Sequence, residues 1–235
     1  MSRKFLGQPF DIHTGGIDHI PVHHNNEIAQ SECAFDAPLA NFWLHNEFLT
    51  VEGEKMSKSL GNIFTISDLK ERKIHPLSFR LWLLSGHYRS PMNFTWDSVS
   101  GSQRALEKLI FEFDSIPEEG EDEEIINKFE SFISDDLDTP KALALLYEAF
   151  SLKKSKKTIE KMDKVLGLDI EKLAKEIQEN IPEEILELKK ERDETRRAKK
   201  WQKSDDLRKE IEREGYVLED QANTSTLRKN LSSLI

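Results

Sequence analysis

The chain has 235 residues, 37% hydrophobic and 33% charged, with a formal charge of −10, which fits one to three small domains rather than one large core. Its single cysteine, Cys33, excludes an intrachain disulfide and gives no sign of an oxidising compartment, so a cytoplasmic protein is expected. No stretch approaches the roughly 20 apolar residues that cross a bilayer, and the first residues lead into no apolar signal core, so neither membrane insertion nor export is expected.

Up to about Asp97, short apolar runs alternate with loop motifs. Phe10-Asp11-Ile12 precedes a glycine turn and a helix, then Phe42-Trp43-Leu44 and Phe48-Leu49-Thr50-Val51 follow, a pattern that predicts α/β structure over 1–97. The run Phe79 to Leu84 reads as a helix too apolar for a surface, and it is expected to be the core of this part. From Gly101 the pattern turns helical, with Leu106, Leu109, Ile110 and Phe113 on one stripe and Ile125, Phe129 and Ile133 on another. An acidic loop over 117–122 separates the two. Asp138 or Thr139 caps the next helix, with Pro140 early in it, so 98–168 is read as a helical bundle. A linker is expected over 169–181. The last part, 182–235, opens on a helix with a basic run from Lys189 to Lys203. Ser204 is expected to cap a second helix that ends at Gly215, and Tyr216–Asp220 with Ser225–Lys229 to form a hairpin. An acidic total does not exclude RNA, because the placement of basic groups decides binding, although a solvated helix face explains the run equally well.

Three groups of residues carry chemistry. Lys55-Met56-Ser57-Lys58-Ser59, between Gly53 and Gly61, offers two ammonium groups and two hydroxyls on a loop able to close over a triphosphate as charge moves onto pyrophosphate. A solvated turn is the competing reading of the pentamer alone. His23 and Glu27 stand four apart on an expected helix and reach one cation together, yet by spacing alone a surface pair is the more natural reading. Cys33 lies ten positions beyond His23, about 15 Å along a helix axis, and is read as a small core residue. His13, Gly15, Gly16 and Asp18 make a turn in which glycine permits close approach of backbone to a ligand.

The run from Phe10 to Glu32, Lys55–Ser59, His87-Tyr88-Arg89-Ser90-Pro91, Asp135–Leu143 and Leu218-Glu219-Asp220 occur in this order, and together they resemble the cysteinyl-tRNA synthetase family. The resemblance implies the C-terminal part of a class I Rossmann-type catalytic domain, then an α-helical bundle and a small mixed α/β anticodon-binding unit, predominantly helical. It implies ATP-dependent activation of cysteine and its transfer to the tRNA specific for cysteine, with Mg-bound ATP as substrate. Lys58 and Lys55 then act as catalytic phosphate contacts beside Ser57 and Ser59, and His13, Gly15, Gly16 and Asp18 approach the adenylate. His23 and Glu27 correspond to two of four zinc ligands, the others being cysteines that this chain lacks, and zinc selects a thiolate over a hydroxyl. His13 and His24 are expected to line the pocket without ligating.

Departures at Thr14, Pro21-Val22 and Asn25 leave those positions intact. Trp201, Asp205, Arg208 and Asp220 correspond to the anticodon-reading end, where stacking and hydrogen bonds read splayed bases. Packing between terminal helices is the competing reading of Trp201. The family carries a His-Ile-Gly-His motif in a front half not seen here, so the chain is expected to be catalytically incomplete alone and to need a separate N-terminal half. Two rival readings are a tRNA-binding module or subunit of a split synthetase, and the cysteine ligase of mycothiol synthesis.

Overall fold

The computed structural model describes residues 2–118, 120–179, 181–220 and 225–235. Glu119 of the expected acidic loop and Asn180 of the expected linker lie outside them. The chain divides into two units, Met1–Ile63 with Gly86–Thr95, and Phe64–Ser85 with Trp96–Ile235.

In the first unit α1 (Ser2–Leu6) leads to β1 (Phe10–Gly16), short 3-10 and π turns over 17–24, α2 (Asn25–Phe35) and β2 (Ala40–Asn46). The strands β1 and β2 run parallel, with Ile12 opposite Phe42, His13 opposite Trp43 and Gly15 opposite His45. A parallel pair needs a crossover, and α2 supplies it, stopping at Asp36, whose left-handed backbone donates to the Glu32 carbonyl. Because side chains alternate along a strand, His13, Gly15, Trp43 and His45 share one face while Ile12 and Phe42 share the other. A second sheet, in the order β4-β3-β5, joins β3 (Leu49–Val51) to β4 (Glu54–Lys55) antiparallel and to β5 (Met92–Phe94) parallel. Glu52 and Gly53 turn β3 into β4 with φ of 51° and 83°, the paired positive values of a primed hairpin turn. One cluster of buried apolar residues in this unit is small, Phe10, Leu39 and Ala40 with Trp43 against them, and Val51 and Phe94 on the second sheet are also buried.

The second unit is helical, with α3 (Ile66–Glu71), α4 (Pro76–Leu84), α5 (Trp96–Phe113), α6 (Glu123–Ser134), α7 (Thr139–Ser151), α8 (Lys156–Leu166) and α9 (Ile170–Glu176). Local rules set the helix ends. Thr65 and Asp68 form a reciprocal capping box at α3, and the Asp138 carboxylate accepts from Lys141 N–H at the start of α7. Gly167, with φ of 65°, closes α8, and the buried Asp163 carboxylate then takes the Leu168 and Ile170 N–H groups at 2.9 and 2.8 Å. The stripe Leu106, Leu109, Ile110 and Phe113 is buried as its spacing predicts.

Three expectations need correction. The apolar run around Leu81 does not form the core of an N-terminal part, since Leu81 joins the helical core. No linker forms at 170–176, because Ile170, Leu173, Ala174 and Ile177 repeat at helical spacing and are buried in that core. Ser204 is not a cap. It sits inside a helix that begins three residues earlier, and it is buried.

The chain ends with α10 (Glu183–Arg197), α11 (Trp201–Arg213), β6 (Tyr216–Asp220) and β7 (Ser225–Lys229), the strands pairing antiparallel from Tyr216–Lys229 to Asp220–Ser225. Gly215 makes the turn out of α11 with φ of 85°. Ile185, Ile211, Tyr216, Leu218 and Leu227 form its own core. It is tied to the bundle, because Lys229 N–H donates to the Ile177 carbonyl at 2.9 Å and Leu231 enters the bundle core. Among the described residues no helix is long and apolar enough to cross a membrane.

Candidate functional site

Five of the histidines gather in the first unit, and register explains how. With no side chain at Gly15, the face between His13 and His45 has room for the ring of His24, which arrives from the turn after β1. A Cβ at Gly15 would lie 2.7 Å from His24 Cε1, 2.9 Å from His24 Nε2 and 2.7 Å from His19 Nδ1, closer than real contacts allow. His24 is 3% exposed, and its Nδ1 lies 2.7 Å from His45 Nε2. Trp43 packs against both His13 and His24, with ring centroids 4.6 and 5.0 Å away. Burial, and then the neighbouring His13 and His45, push the His24 pKa below its ordinary value.

Glu27 projects into this group from α2. Its Oε2 lies 2.9 Å from His13 Nε2, and its Oε1 lies 3.7 Å from His23 Nε2. Oε2 is buried and finds no aligned hydrogen-bond donor among the described residues, so the short approach of His13 is an ion-pair contact without the geometry of a directed hydrogen bond. Ligand atoms of His13, His24 and Glu27 all lie within 4.8 Å of one another, a grouping able to hold a metal ion. His23, expected as a ligand, has a side chain 61% exposed, whereas His13 and His24, expected as pocket lining, point inward. Cys33 is exposed, so the reading of it as a core residue is corrected; α2 carries no buried residue that would draw it in. Asp18 sits in the 3-10 turn just after the glycines.

The Lys55–Ser59 loop leaves β4 and is shaped by a residue outside the pentamer. The Asn62 side chain accepts from Ser57 N–H at 2.8 Å and donates to the Lys55 carbonyl at 3.1 Å. Within the loop the Ser57 hydroxyl lies 3.2 Å from that of Ser59 and accepts from Leu60 N–H. With the backbone so bridged, Lys55 and Lys58 are both exposed, and their ammonium groups are left available to an anion. The β3–β4 turn is fixed from β5, where Asn93 accepts from Gly53 N–H at 2.7 Å.

At the chain's end the expected RNA contacts separate into two kinds. Trp201, first in α11, is 59% exposed, and Asp205, four positions on, is exposed too. Arg208 and Asp220 are instead paired within the tail, at its surface. Arg208 donates to the Leu218 carbonyl at 2.9 Å and to Asp220 Oδ2 at 3.2 Å, while Asp220 Oδ1 takes Arg192 at 2.5 Å and Arg196 at 3.0 Å. Arg192, first among these partners, holds the Asp220 carboxyl below its ordinary pKa. Arg192 and Asp193 are buried under the hairpin. Burial pushes the Asp193 carboxyl up, but the Ser225 hydroxyl, Lys189 and Arg192 outweigh it and hold it at about 2.

His45 and Asn62 escaped the sequence reading. Register would have found the first, two positions beyond Trp43 on the same face. For Asn62 the signal was only its nearness to Gly61 at the loop's exit.

Residues 1–104 match the family described as tRNA synthetases class I (C) catalytic domain. The chain is similar to Cysteine–tRNA ligase 1 of Burkholderia lata, 38% identical over 94% of this chain and 48% of that one. Cysteine–tRNA ligase of Opitutus terrae is 38% identical over 97% and 50%, and that of Caldicellulosiruptor saccharolyticus is 38% identical over 94% and 53%. The chain thus spans about half the length of the curated relatives it matches. In fold it is similar to the LeuRS–tRNA–LeuAMS ternary complex of Agrobacterium radiobacter, with a TM-score of 0.50 and 22% identity over 70% of this chain and 26% of that one.

Proposed function

We propose that the chain is of the class I tRNA synthetases, on the cysteine–tRNA ligase branch, and that it serves the ATP-dependent attachment of cysteine to its tRNA. The observation that carries this reading is the Lys55–Ser59 loop, braced by Asn62 so that two exposed lysines face outward, in a chain similar to cysteine–tRNA ligases along its length.

In the activation step the cysteine carboxylate attacks the α-phosphorus of Mg-bound ATP and the bond to pyrophosphate breaks. Negative charge grows on the leaving group. Lys58, with Lys55 beside it, meets that charge where it develops, and the Ser57 and Ser59 hydroxyls supply short hydrogen bonds to phosphate oxygens. The turn of His13, Gly15, Gly16 and Asp18 lies against the adenylate, Asp18 toward the ribose. The resemblance brings zinc to Glu27 with His23, and the buried Oε2 of Glu27, which no hydrogen-bond donor is aligned on, fits a cation near that carboxylate. A bound zinc would supply preference for a thiolate over a hydroxyl. In the tail, Trp201 and Asp205 are the groups left to meet RNA, and Arg208 and Asp220 hold the hairpin beneath them.

The test is charging of a cysteine-specific tRNA transcript with labelled cysteine, by the chain alone and with the leading half of the Burkholderia lata relative added. Product that requires ATP and falls about 10²-fold or more in Lys58→Ala is expected. No product under either condition, or an unaffected Lys58→Ala, would remove the reading.

A further inference from the structure

We propose that the cavity between α5 and α7 holds one unpaired nucleotide of RNA, its phosphate on Lys108 and Lys153 and its base against Tyr147. The proposal takes its partner from the proposed function and adds a contact in the helical bundle itself.

Helical spacing builds the cavity. Lys108 and Glu112 stand one turn apart on α5, Tyr147 and Ser151 one turn apart on α7, and Lys153 joins them through a left-handed turn with φ of 49°. Leu109, Ile116 and Phe150 are buried and form an apolar floor. The space is about 550 Å³, within the roughly 300–1,000 Å³ of small-molecule sites.

The rim carries donors and positive charge. Among the described residues, the Tyr147 and Ser151 hydroxyls and the Lys153 ammonium meet no hydrogen-bond or ion-pair partner. Burial pushes the Tyr147 phenol up, which keeps it a protonated donor at neutral pH. Lys108 and Lys153 outnumber the one carboxylate of the lining, Glu112, whose Oε1 lies 3.7 Å from Lys108, so the cavity is positive in a chain of formal charge −10. Such a set fits a nucleotide more closely than a bare anion. Ammonium groups meet phosphate oxygens as point charges, a partly exposed phenol ring stacks a base, and Glu112 accepts from an amine or a ribose hydroxyl. One stack and two point charges hold a free nucleotide weakly, so the occupant is carried by an RNA whose other contacts bring it there.

The experiment titrates the 1–235 chain with a labelled cysteine-specific tRNA transcript at several salt concentrations, read by fluorescence anisotropy. Tyr147→Ala is expected to weaken binding about fivefold or more, the loss of one stack, and Tyr147→Phe, which keeps the ring, to restore most of it. Lys153→Gln is expected to lower the slope of log affinity against log salt by about 0.7, one phosphate contact in a single strand. Native circular dichroism is required of each variant. Lys153 is exposed, so Lys153→Gln decides if Tyr147→Ala does not fold. Tyr147→Ala joined to Trp201→Ala is expected to multiply the two losses, as separate contacts do. Affinity and salt slope unchanged in Tyr147→Ala and Lys153→Gln, with Trp201→Ala still weakened, would overturn the cavity and leave the tail as the contact. Cytidine monophosphate bound as tightly as the transcript would remove RNA as the occupant. A wild-type chain that binds no transcript would sink the proposal, while charging with cysteine still tests the proposed function on its own.

Discussion

The two units divide stability and chemistry between them. The helical unit holds a core running from Leu81 to Leu231 and no cluster of metal-ligating groups among its described residues. The first unit has a cluster of Phe10, Leu39 and Ala40 and exposes Phe5, Ile12, Val22 and Phe42 at 60% or more. Yet the histidine cluster and the Lys55–Ser59 loop are both in the first unit. Polar side chains and backbone turns proposed to meet ligands cannot also fill a core, so these candidate groups sit where burial is thin, and the helices of the second unit carry most of the buried apolar area.

The sharpest way to break this comparison is to delete matched apolar groups. Leu146→Ala, fully buried in α7, is expected to cost about 2–5 kcal/mol by urea unfolding. Ile12→Ala, 61% exposed, should stay within about 0.5 kcal/mol. Equal losses would show that the first unit is as tightly cored as the second.

Acid separates the tail from the bundle. The Asp193 carboxyl, held at about 2, lies below its unfolded value near 3.9, so its contribution of about 2 kcal/mol is present above about pH 4 and is lost as pH falls through about 2. Urea unfolding followed by circular dichroism at about pH 5 and about pH 2 should show that loss in the wild type and little of it in Asp193→Asn, which starts lower. A pH-independent midpoint would mean that the buried ion network does not brace the hairpin.

A smaller effect sharpens the functional half. Trp201→Ala should leave stability within about 0.5 kcal/mol, because the ring is exposed, while weakening binding of cysteine-specific tRNA by about 1–3 kcal/mol, the range for one lost base stack. Titration of labelled tRNA measures it, and unchanged affinity would return Trp201 to an ordinary surface residue.

Periodicity made the helical unit legible. The stripe of Leu106, Leu109, Ile110 and Phe113 and the Asp138 cap are local signals, and the fold obeys them. The helix of Ile170, Leu173, Ala174 and Ile177 carried the same signal and was hidden only because Gly167 and Pro182 flank it like linker ends. Residues of the candidate site were legible as a group, but their pairings were not. Which oxygen of Glu27 faces which histidine depends on strand register and on the space at Gly15, neither of which spacing reveals. Arg208 and Asp220 show the same limit in the tail, where charges suited to RNA are spent on each other because β6 lies beside α11.

Hydrogen exchange with and without Mg-ATP tests the central claim most directly, because it reports on both units at once. The account predicts slower exchange over 54–62, with Ser57 N–H foremost, and over 13–18, with 98–177 unchanged. Protection confined to the helical unit, or none anywhere at saturating nucleotide, would contradict it.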